Sequence, residues 1–360
     1  MNFLFLNSAR TWGGNEKWVR LSTTSLQGEH QCYLAFRTLL VGRKIPVTQY
    51  MLPFRHEFDL PTIASLIRIV HHHRIDVLIP TKRKEYVLAG IVSKICGCTN
   101  IMRLGIVRDF QRKPFQSFVF NKLADGVIVN AEPVRKKLLE SGFRNPERIR
   151  VIHNGLNTHE IVELAGQQTV DIPFGFIVSS MGELSQRKGF DMLIRSFAKF
   201  LYSSGAQNAG LVLIGEGPSK NSLQQLAHAL NIERHVIFTG FLDNPYPYLA
   251  ASQLFAMTSM NEGISNALLE AALLKNALIS TTAGGGIQSV IREGENGFLL
   301  DYGDDKKLAS ILKKLYEHPE LTTKTADEAA KTVTKMFSME HMTQEITDFC
   351  KTLQKQQPQT

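Results

Sequence analysis

Residues 254–280 read LFAMTSMNEGISNALLEAALLKNALIS: an apolar β-prone run over 254–257, a polar loop, a helical pattern over 265–274 and a second apolar run over 277–280. Two short strands joined through a helix describe a crossover, which parallel strands need in order to return in register. The same rhythm extends upstream, with strands expected over 174–179, 211–214 and 236–239 and helices over 189–202 and 220–230. It also fills the first half. There 2–6, 31–36, 47–52, 77–80, 100–104, 127–129 and 150–153 read as strands, and 16–26, 61–73, 85–96 and 133–141 as helices. Strand, helix, strand throughout argues for α/β architecture with parallel sheets covered by helices on both faces. An aperiodic stretch at 163–173, ELAGQQTVDIP, reads as a linker between two such domains, and the length of 360 residues agrees with two domains of ordinary size. Helical patterns over 304–317, 325–336 and 340–354 precede a polar tail, QKQQPQT.

Composition narrows the function classes. With 43% hydrophobic and 21% charged residues, 26 glycines and 13 prolines, the chain is of globular type, not disordered, collagenous or coiled-coil. No apolar run approaches the roughly 20 residues of a membrane-spanning helix. The N-terminus, MNFLFLNSARTWGG, lacks the basic region and the apolar length of a signal peptide, so a cytoplasmic location is expected. Four scattered cysteines, Cys32, Cys96, Cys98 and Cys350, are expected to be reduced thiols, and the Cys96-x-Cys98 pair has no second ligand pair. Charge is divided unevenly: residues 1–160 hold 24 Lys and Arg against 12 Asp and Glu, whereas the remainder holds 17 against 21. A basic first half fits an anionic membrane surface or a phosphorylated substrate. No nucleic-acid-binding motif accompanies it, so nucleic acid is not an expected partner.

Ligands of open α/β sheets bind outside the carboxyl ends of the strands, so the loops there are the first places to search. Gly13 and Gly14 follow the first strand, but neither a dinucleotide fingerprint nor a Walker-type loop is present. In the second half, Arg187 and Lys188 lie just before a helix. Two cations at a helix N-terminus are unfavourable until an anion joins them, which points to a phosphate ligand, with a solvated basic turn as the alternative. Gly215 and Gly217 form a turn between strand and helix that either brings backbone near a ligand or is a plain turn. Glu262 lies in the loop before the 265–274 helix, Ser265 is placed to cap it, Gly263 frees the backbone there, and Glu270 falls just over a turn inside, beside an apolar stripe. A carboxylate so placed needs polar partners, and polyhydroxy ligands supply them. AGGG at 283–286 is a further loop suited to an anion.

In order along the chain, GGNE at 13–16, ADGVIVNAE at 124–132, VIHNGLN at 151–157, RKGFDMLI at 187–194, GEGP at 215–218, VIFTGFL at 236–242, EGISNALLEA at 262–271 and GENGFLL at 294–300 resemble the GT-B glycosyltransferases, family 4 in particular. The resemblance covers nearly the whole chain. It implies two Rossmann-like doubly wound domains facing each other across a cleft: residues 1–160 binding the acceptor, 161–336 the nucleotide sugar, and 337–360 a helix crossing back to the first domain plus the tail. It implies a retaining transferase that moves a sugar from a nucleotide-diphosphate sugar to a cell-surface glycan or glycolipid, of lipopolysaccharide or polysaccharide type, at the cytosolic membrane face. Neither metal nor cofactor is implied; the nucleotide sugar is the donor substrate. Lys188, with Arg187 beside it, would neutralise the leaving diphosphate, Glu262 would bind hydroxyls of the transferred sugar and Glu270 those of the ribose. Gly14, Gly215, Gly217, Gly263, Ile264 and Ser265 complete the donor-binding set. Trp12, Lys84, Arg103 and Arg108 are the acceptor candidates, while Trp18 is expected in the core.

The chain departs from the family at two places. Gly182-Glu183-Leu184 stands where the family has Gly-Arg-Leu, so an acid replaces a diphosphate-binding arginine, with Arg187 placed to compensate. Near the strand at 100–104, Arg103 or Arg108 occupies the neighbourhood of a histidine common in the family. Glu183 motivates an alternative reading, a non-catalytic GT-B scaffold binding a glycan or protein partner.

Overall fold

The structure, a computed structural model, describes residues 1–105, 114–260, 262, 264–282 and 286–355. The chain divides into two compact units, one formed by Met1–Gly155 with Met339–Thr360 and the other by Leu156–Ser338.

Among the described residues the first unit holds seven parallel strands: β1 Asn2–Asn7, β2 Gln31–Phe36, β3 Thr48–Met51, β4 Val77–Pro80, β5 Thr99–Leu104, β6 Gly126–Val129 and β7 Ile149–Val151. Their order is β3-β2-β1-β4-β5-β6-β7. The chain thus builds outward from β1 in one direction, then returns to lay β4 on β1's other side. Strands such as VLIP and GVIV are apolar at every position because helices cover both faces of the sheet. The helix Gly14–Leu26 buries Trp18, Val19 and Leu26 on one face. On the same face lies the last helix, Met339–Lys355, whose Met342, Ile346, Phe349, Cys350 and Leu353 pack with Phe3, Phe5 and Trp18. Each such side chain contributes about 1.5–3 kcal/mol when fully buried, which holds this helix in the first unit although it follows the whole second one.

The second unit repeats the plan with β8 Phe176–Met181, β9 Ala209–Ile214, β10 Val236–Gly240, β11 Leu254–Met257, β12 Ala277–Thr281 and β13 Gly297–Leu300, ordered β10-β9-β8-β11-β12-β13 and all parallel. Here the reversal lies between β8 and β11.

Three local readings need correction. The stretch expected as a linker begins as a helix, Thr158–Gly166, whose cap is the Asn157 side chain accepting from Glu160 N at 3.2 Å. Only Ile161 of this helix is fully buried, so its apolar period is too faint to read. The units accordingly part at 155/156 and 338/339, not at 160/161 and 336/337. The helical pattern at 325–336 is the end of a longer helix, Pro319–Phe337. β13 is an additional strand within GENGFLL.

Candidate functional site

Each sheet has one place where neighbouring strands send their loops to opposite sides, leaving a crevice at the carboxyl edge: β8/β11 in the second unit and β1/β4 in the first. The charged residues singled out above collect at these two points.

In the second unit β8 runs into Gly182-Glu183-Leu184, then a short 3₁₀ turn, Gln186–Lys188, before the helix Phe190–Ser204. Backbone bonds tie this loop to its neighbours: Leu184 N donates to Glu216 O at 2.9 Å, Ser219 N to Leu184 O at 2.8 Å and Met260 N to Arg187 O at 2.9 Å. Thr258 Oγ1 donates to Gly189 O at 2.8 Å. Gly189 has φ 65°, and a Cβ there would lie 2.1 Å from Thr258 O, so only glycine lets the two loops close to this distance. Their closure brings Glu262, after β11, against both cations. Lys188 Nζ lies 2.5 Å from Glu262 Oε2 and Arg187 Nη1 3.1 Å from the same oxygen. Two positive charges therefore meet at one carboxylate oxygen beside a helix N-terminus. The Lys188 side chain is mostly enclosed, while that of Arg187 is half exposed.

The other described residues of this unit read as donor-binding have separate surroundings. Gly215 and Gly217 serve loop packing: a Cβ at 215 would lie 2.0 Å from Gly182 O, and one at 217 would lie 2.5 Å from Leu184 O. The neighbour that requires glycine at both is the β8 loop, which favours the plain-turn alternative. Ser265 occupies the N-cap position of the helix Asn266–Leu273, but its side chain makes no capping hydrogen bond. Ile264 packs half-buried against the apolar cluster of this face, and Gly263 lies outside the described residues. Glu270 is on the fifth residue of that helix and only 8% exposed. Burial, followed by the charges of Glu270 and Glu160, pushes the Tyr246 phenol up to about 12. Tyr246 is therefore a neutral hydroxyl beside Glu270, a neighbour sequence reasoning missed. Of the AGGG loop only Gly286 is described. Glu183 is exposed, and its chain neighbour Leu184 is buried.

At the β1/β4 crevice of the first unit the arrangement is more internal. Glu16, 3% exposed on the first turn of the helix Gly14–Leu26, accepts from Asn7 Nδ2 at 3.0 Å and pairs with Lys82 Nζ at 3.0 Å. Glu85 is fully buried and accepts from the backbone N–H of Ser8, of Thr81 at 2.8 Å and of Lys82 at 2.9 Å, clamping the β1 and β4 loops together. Burial raises its carboxyl to about 6, against those hydrogen bonds. Arg103, the penultimate residue of β5 and 2% exposed, donates to Asn15 Oδ1 and, at 3.1 Å, to Asn154 Oδ1, and lies 4.7 Å above the Trp18 ring. Burial lowers its guanidinium to about 10, with Tyr86 and Glu16 acting in the opposite direction, so it is charged at neutral pH.

The acceptor candidates read from sequence are thus largely engaged. Arg103 is enclosed by amide oxygens. Lys84 Nζ donates to Phe54 O at 3.2 Å and Arg55 O at 3.3 Å, so it braces a loop. Trp12 is half-buried with Lys44 Nζ 5.0 Å over its ring. Arg108 lies outside the described residues. Gly14 is the first residue of its helix, with open space where a Cβ would be. Trp18 is in the core. The capping acid Glu85, four residues after Thr81, was the signal for the clamp; nothing local marks Asn15 and Asn154 as partners of Arg103.

Residues 174–332 match the family described as glycosyl transferases group 1. A lipopolysaccharide core biosynthesis glycosyltransferase, LpsE of Rhizobium meliloti, is 30% identical over 220 residues, 61% of this chain and 62% of that protein. A Campylobacter jejuni enzyme, N-acetylgalactosamine-N,N'-diacetylbacillosaminyl-diphospho-undecaprenol 4-alpha-N-acetylgalactosaminyltransferase, is 29% identical over 214 residues, 59% of this chain and 56% of that protein. The matches therefore span about three-fifths of these relatives' own lengths. The crystal structure of Anabaena Alr3699/HepE in complex with UDP is similar over 98% of this chain and 100% of that chain, with a TM-score of 0.76 and 22% sequence identity. The chain is thus similar to the glycosyl transferases group 1 through residues 174–332, and its two Rossmann-like units have the GT-B fold.

Proposed function

We propose that the protein is a retaining glycosyltransferase that moves a sugar from a nucleotide-diphosphate sugar to a cell-surface glycan or glycolipid, at the cytosolic face of a membrane. The observation that carries this reading is the Arg187–Lys188–Glu262 cluster at the β8/β11 crevice, inside the family-matching segment. A diphosphate entering there competes with Glu262 for both cations. Its arrival frees the carboxylate to accept hydrogen bonds from hydroxyls of the sugar. As the sugar–oxygen bond breaks, negative charge accumulates on the diphosphate, and Lys188 and Arg187 are already in place to stabilise it. One preorganised contact of this kind typically contributes about 10²–10³ in rate. In this reading these cations supply the charge stabilisation and no metal is invoked. Glu270, beside the neutral Tyr246 hydroxyl, is assigned to the ribose.

The lipopolysaccharide and polyprenol-linked substrates in the relatives' names support an acceptor of glycan or glycolipid type. UDP, present in the Anabaena complex, is the nucleotide to test first. Thermal unfolding of the wild type and of Lys188→Ala is measured against UDP, GDP and ADP and their sugars at fixed salt. Ligand at about 100 times its Kd stabilises by roughly 2.7 kcal/mol, a shift of several degrees. One nucleotide is expected to stabilise the wild type, with the effect lost in Lys188→Ala. No response to any of them overturns the transferase reading in favour of a non-catalytic scaffold.

A further inference from the structure

The turn that carries Arg187 and Lys188 has a second face. Glu262 meets it from the β11 side, whereas toward β9 it borders a cavity of about 290 Å³, and β8 separates β9 from β11 in the sheet. The polar groups around this cavity come from two crossovers. Ser185 and Gln186 belong to the loop after β8, Asp191 to the first turn of the helix Phe190–Ser204, and Ser219 and Ser222 to the start of the helix Lys220–Ala229. Phe190 and Leu223, both almost fully buried, supply apolar wall. The backbone bonds from Leu184 N to Glu216 O and from Ser219 N to Leu184 O fix the two crossovers to each other.

Several of these groups are unused by the fold. The Ser185 hydroxyl is shut off from solvent and has no hydrogen-bond partner. Ser219 stands at the N-cap position, yet its side chain makes no capping hydrogen bond. Asp191 forms no hydrogen bond or ion pair among the described residues. Ser222 donates to Ser219 O at 2.8 Å and keeps its own lone pairs for a donor. Polar atoms left without partners in a walled site are costly, so the arrangement rewards a ligand that brings donors and acceptors together. The carboxylate needs donors, the serine hydroxyls take either role and the Gln186 amide offers both. An anion is repelled by Asp191. A metal ion finds too few ligands, because no group of three His, Cys, Asp or Glu among the described residues could hold one. Sugar hydroxyls answer each of these demands, and the C–H face of a sugar ring suits Phe190 and Leu223. The volume, at the lower end for small-molecule sites, has room for one ring.

The geometry points to a polyhydroxy-binding subsite that takes one pyranose ring between the β8 loop and the helix Lys220–Ala229, through Gln186, Asp191, Ser219 and Ser222. The Ser185 hydroxyl joins them by one χ1 rotation. The subsite lies on the opposite face of the turn from the Lys188–Glu262 contact, so the ring held there is not the sugar being transferred. It goes beyond the transferase reading, since the ligand class follows from the side chains around the cavity.

The test is hydrogen exchange of the full chain read by mass spectrometry, with methyl glycosides of glucose, galactose, mannose and N-acetylglucosamine at about 50 mM, above the roughly millimolar Kd expected of one ring with few polar contacts. Glycerol at the same concentration is the control. At least one glycoside is expected to slow exchange several-fold over 185–191 and 219–223. A disaccharide of the same sugar separates two sources of the ring: the end of a glycan protects likewise, whereas a site for free sugar responds to the methyl glycoside alone. Asp191→Asn removes a charge-assisted hydrogen bond, and Ser222→Phe, at an exposed position, fills the space. Each is expected to weaken binding of the protecting sugar by about tenfold or more, while the nucleotide-induced thermal shift stays as in wild type. No protection by any glycoside, protection confined to residues 1–155, equal protection by glycerol, or undiminished binding by both variants overturns the inference. Loss of the nucleotide shift in both variants overturns it as well, because it puts these residues in the donor site. Absence of the shift in the wild type defeats the transferase reading and leaves the sugar result standing.

Discussion

Both units present a lysine–glutamate pair at the crevice where their strand order reverses, Lys82–Glu16 at β1/β4 and Lys188–Glu262 at β8/β11. The two pairs do different things. In the first unit the carboxylate is buried, also held by Asn7, and matched by one lysine, so the pair is a neutral brace within the fold. In the second, one carboxylate meets two cations, and the Arg187 side chain is half exposed, so the pair stands open to solvent. Fold places both pairs alike; exposure and the number of cations at the carboxylate set them apart. A buried pair is satisfied as it stands, whereas a partly open one gains from a ligand.

The strongest way to break this contrast is to remove each lysine in turn. Lys188→Ala should lower transferase turnover by about 10²–10³ and abolish stabilisation by nucleoside diphosphate. Lys82→Ala should leave that stabilisation in place and lower the unfolding temperature, because Glu16 is then buried with less compensation. Equal loss of the nucleotide shift in both would erase the distinction between the crevices.

Glu262→Gln sharpens it further. With the carboxylate neutralised, both cations are released to the ligand, so nucleoside diphosphate alone should bind at least as tightly by calorimetry. Transfer should fall by about 10–100-fold, the equivalent of one charge-assisted hydrogen bond. Weaker diphosphate binding would show that Glu262 organises the cations and does not compete for them.

The first unit's crevice carries its own signature in pH. The Glu85 carboxyl is raised from 4.5 to about 6 by burial, so the folded state holds a proton that the unfolded state has released across that interval. The stability so gained is full below about pH 4.5 and lost as pH rises through about 6, an amplitude of about 2 kcal/mol. Stability measured from pH 4 to 8 should show this fall in the wild type and not in Glu85→Gln, whose side chain does not titrate. A rise over the same interval would mean that the hydrogen bonds from Ser8, Thr81 and Lys82 outweigh burial.

The smallest effect is expected at Glu183, exposed in the loop between β8 and the helix Phe190–Ser204. Glu183→Arg should change turnover by no more than about fivefold, the range of an exposed charge. A gain of a hundredfold or more would instead mark a crevice degraded by the acid.

Much of this was legible without coordinates because it depends on local pattern. The alternation of short apolar runs with helical periods implied parallel, doubly covered sheets, and the ordered motifs implied the GT-B fold. Lys188 and Glu262 were readable as candidates because each lies in a loop following a strand. What Lys84 and Gly217 touch was not legible, because their neighbours are distant in the chain. A lysine in a basic run looks available, yet Lys84 is spent on the carbonyls of Phe54 and Arg55, about thirty positions earlier in the chain.

The sequence by itself determined most of the strands and helices, that the first half is basic, and which loops end at carboxyl edges, because periodicity and composition are properties of neighbouring residues. Only the tertiary structure decided that Glu262 meets Arg187 and Lys188, that Glu16 neutralises Lys82, and that Arg103 is enclosed by Asn15 and Asn154. These outcomes depend on which distant strands pair across the reversal of each sheet, and that pairing joins residues whose separation in sequence carries no local trace.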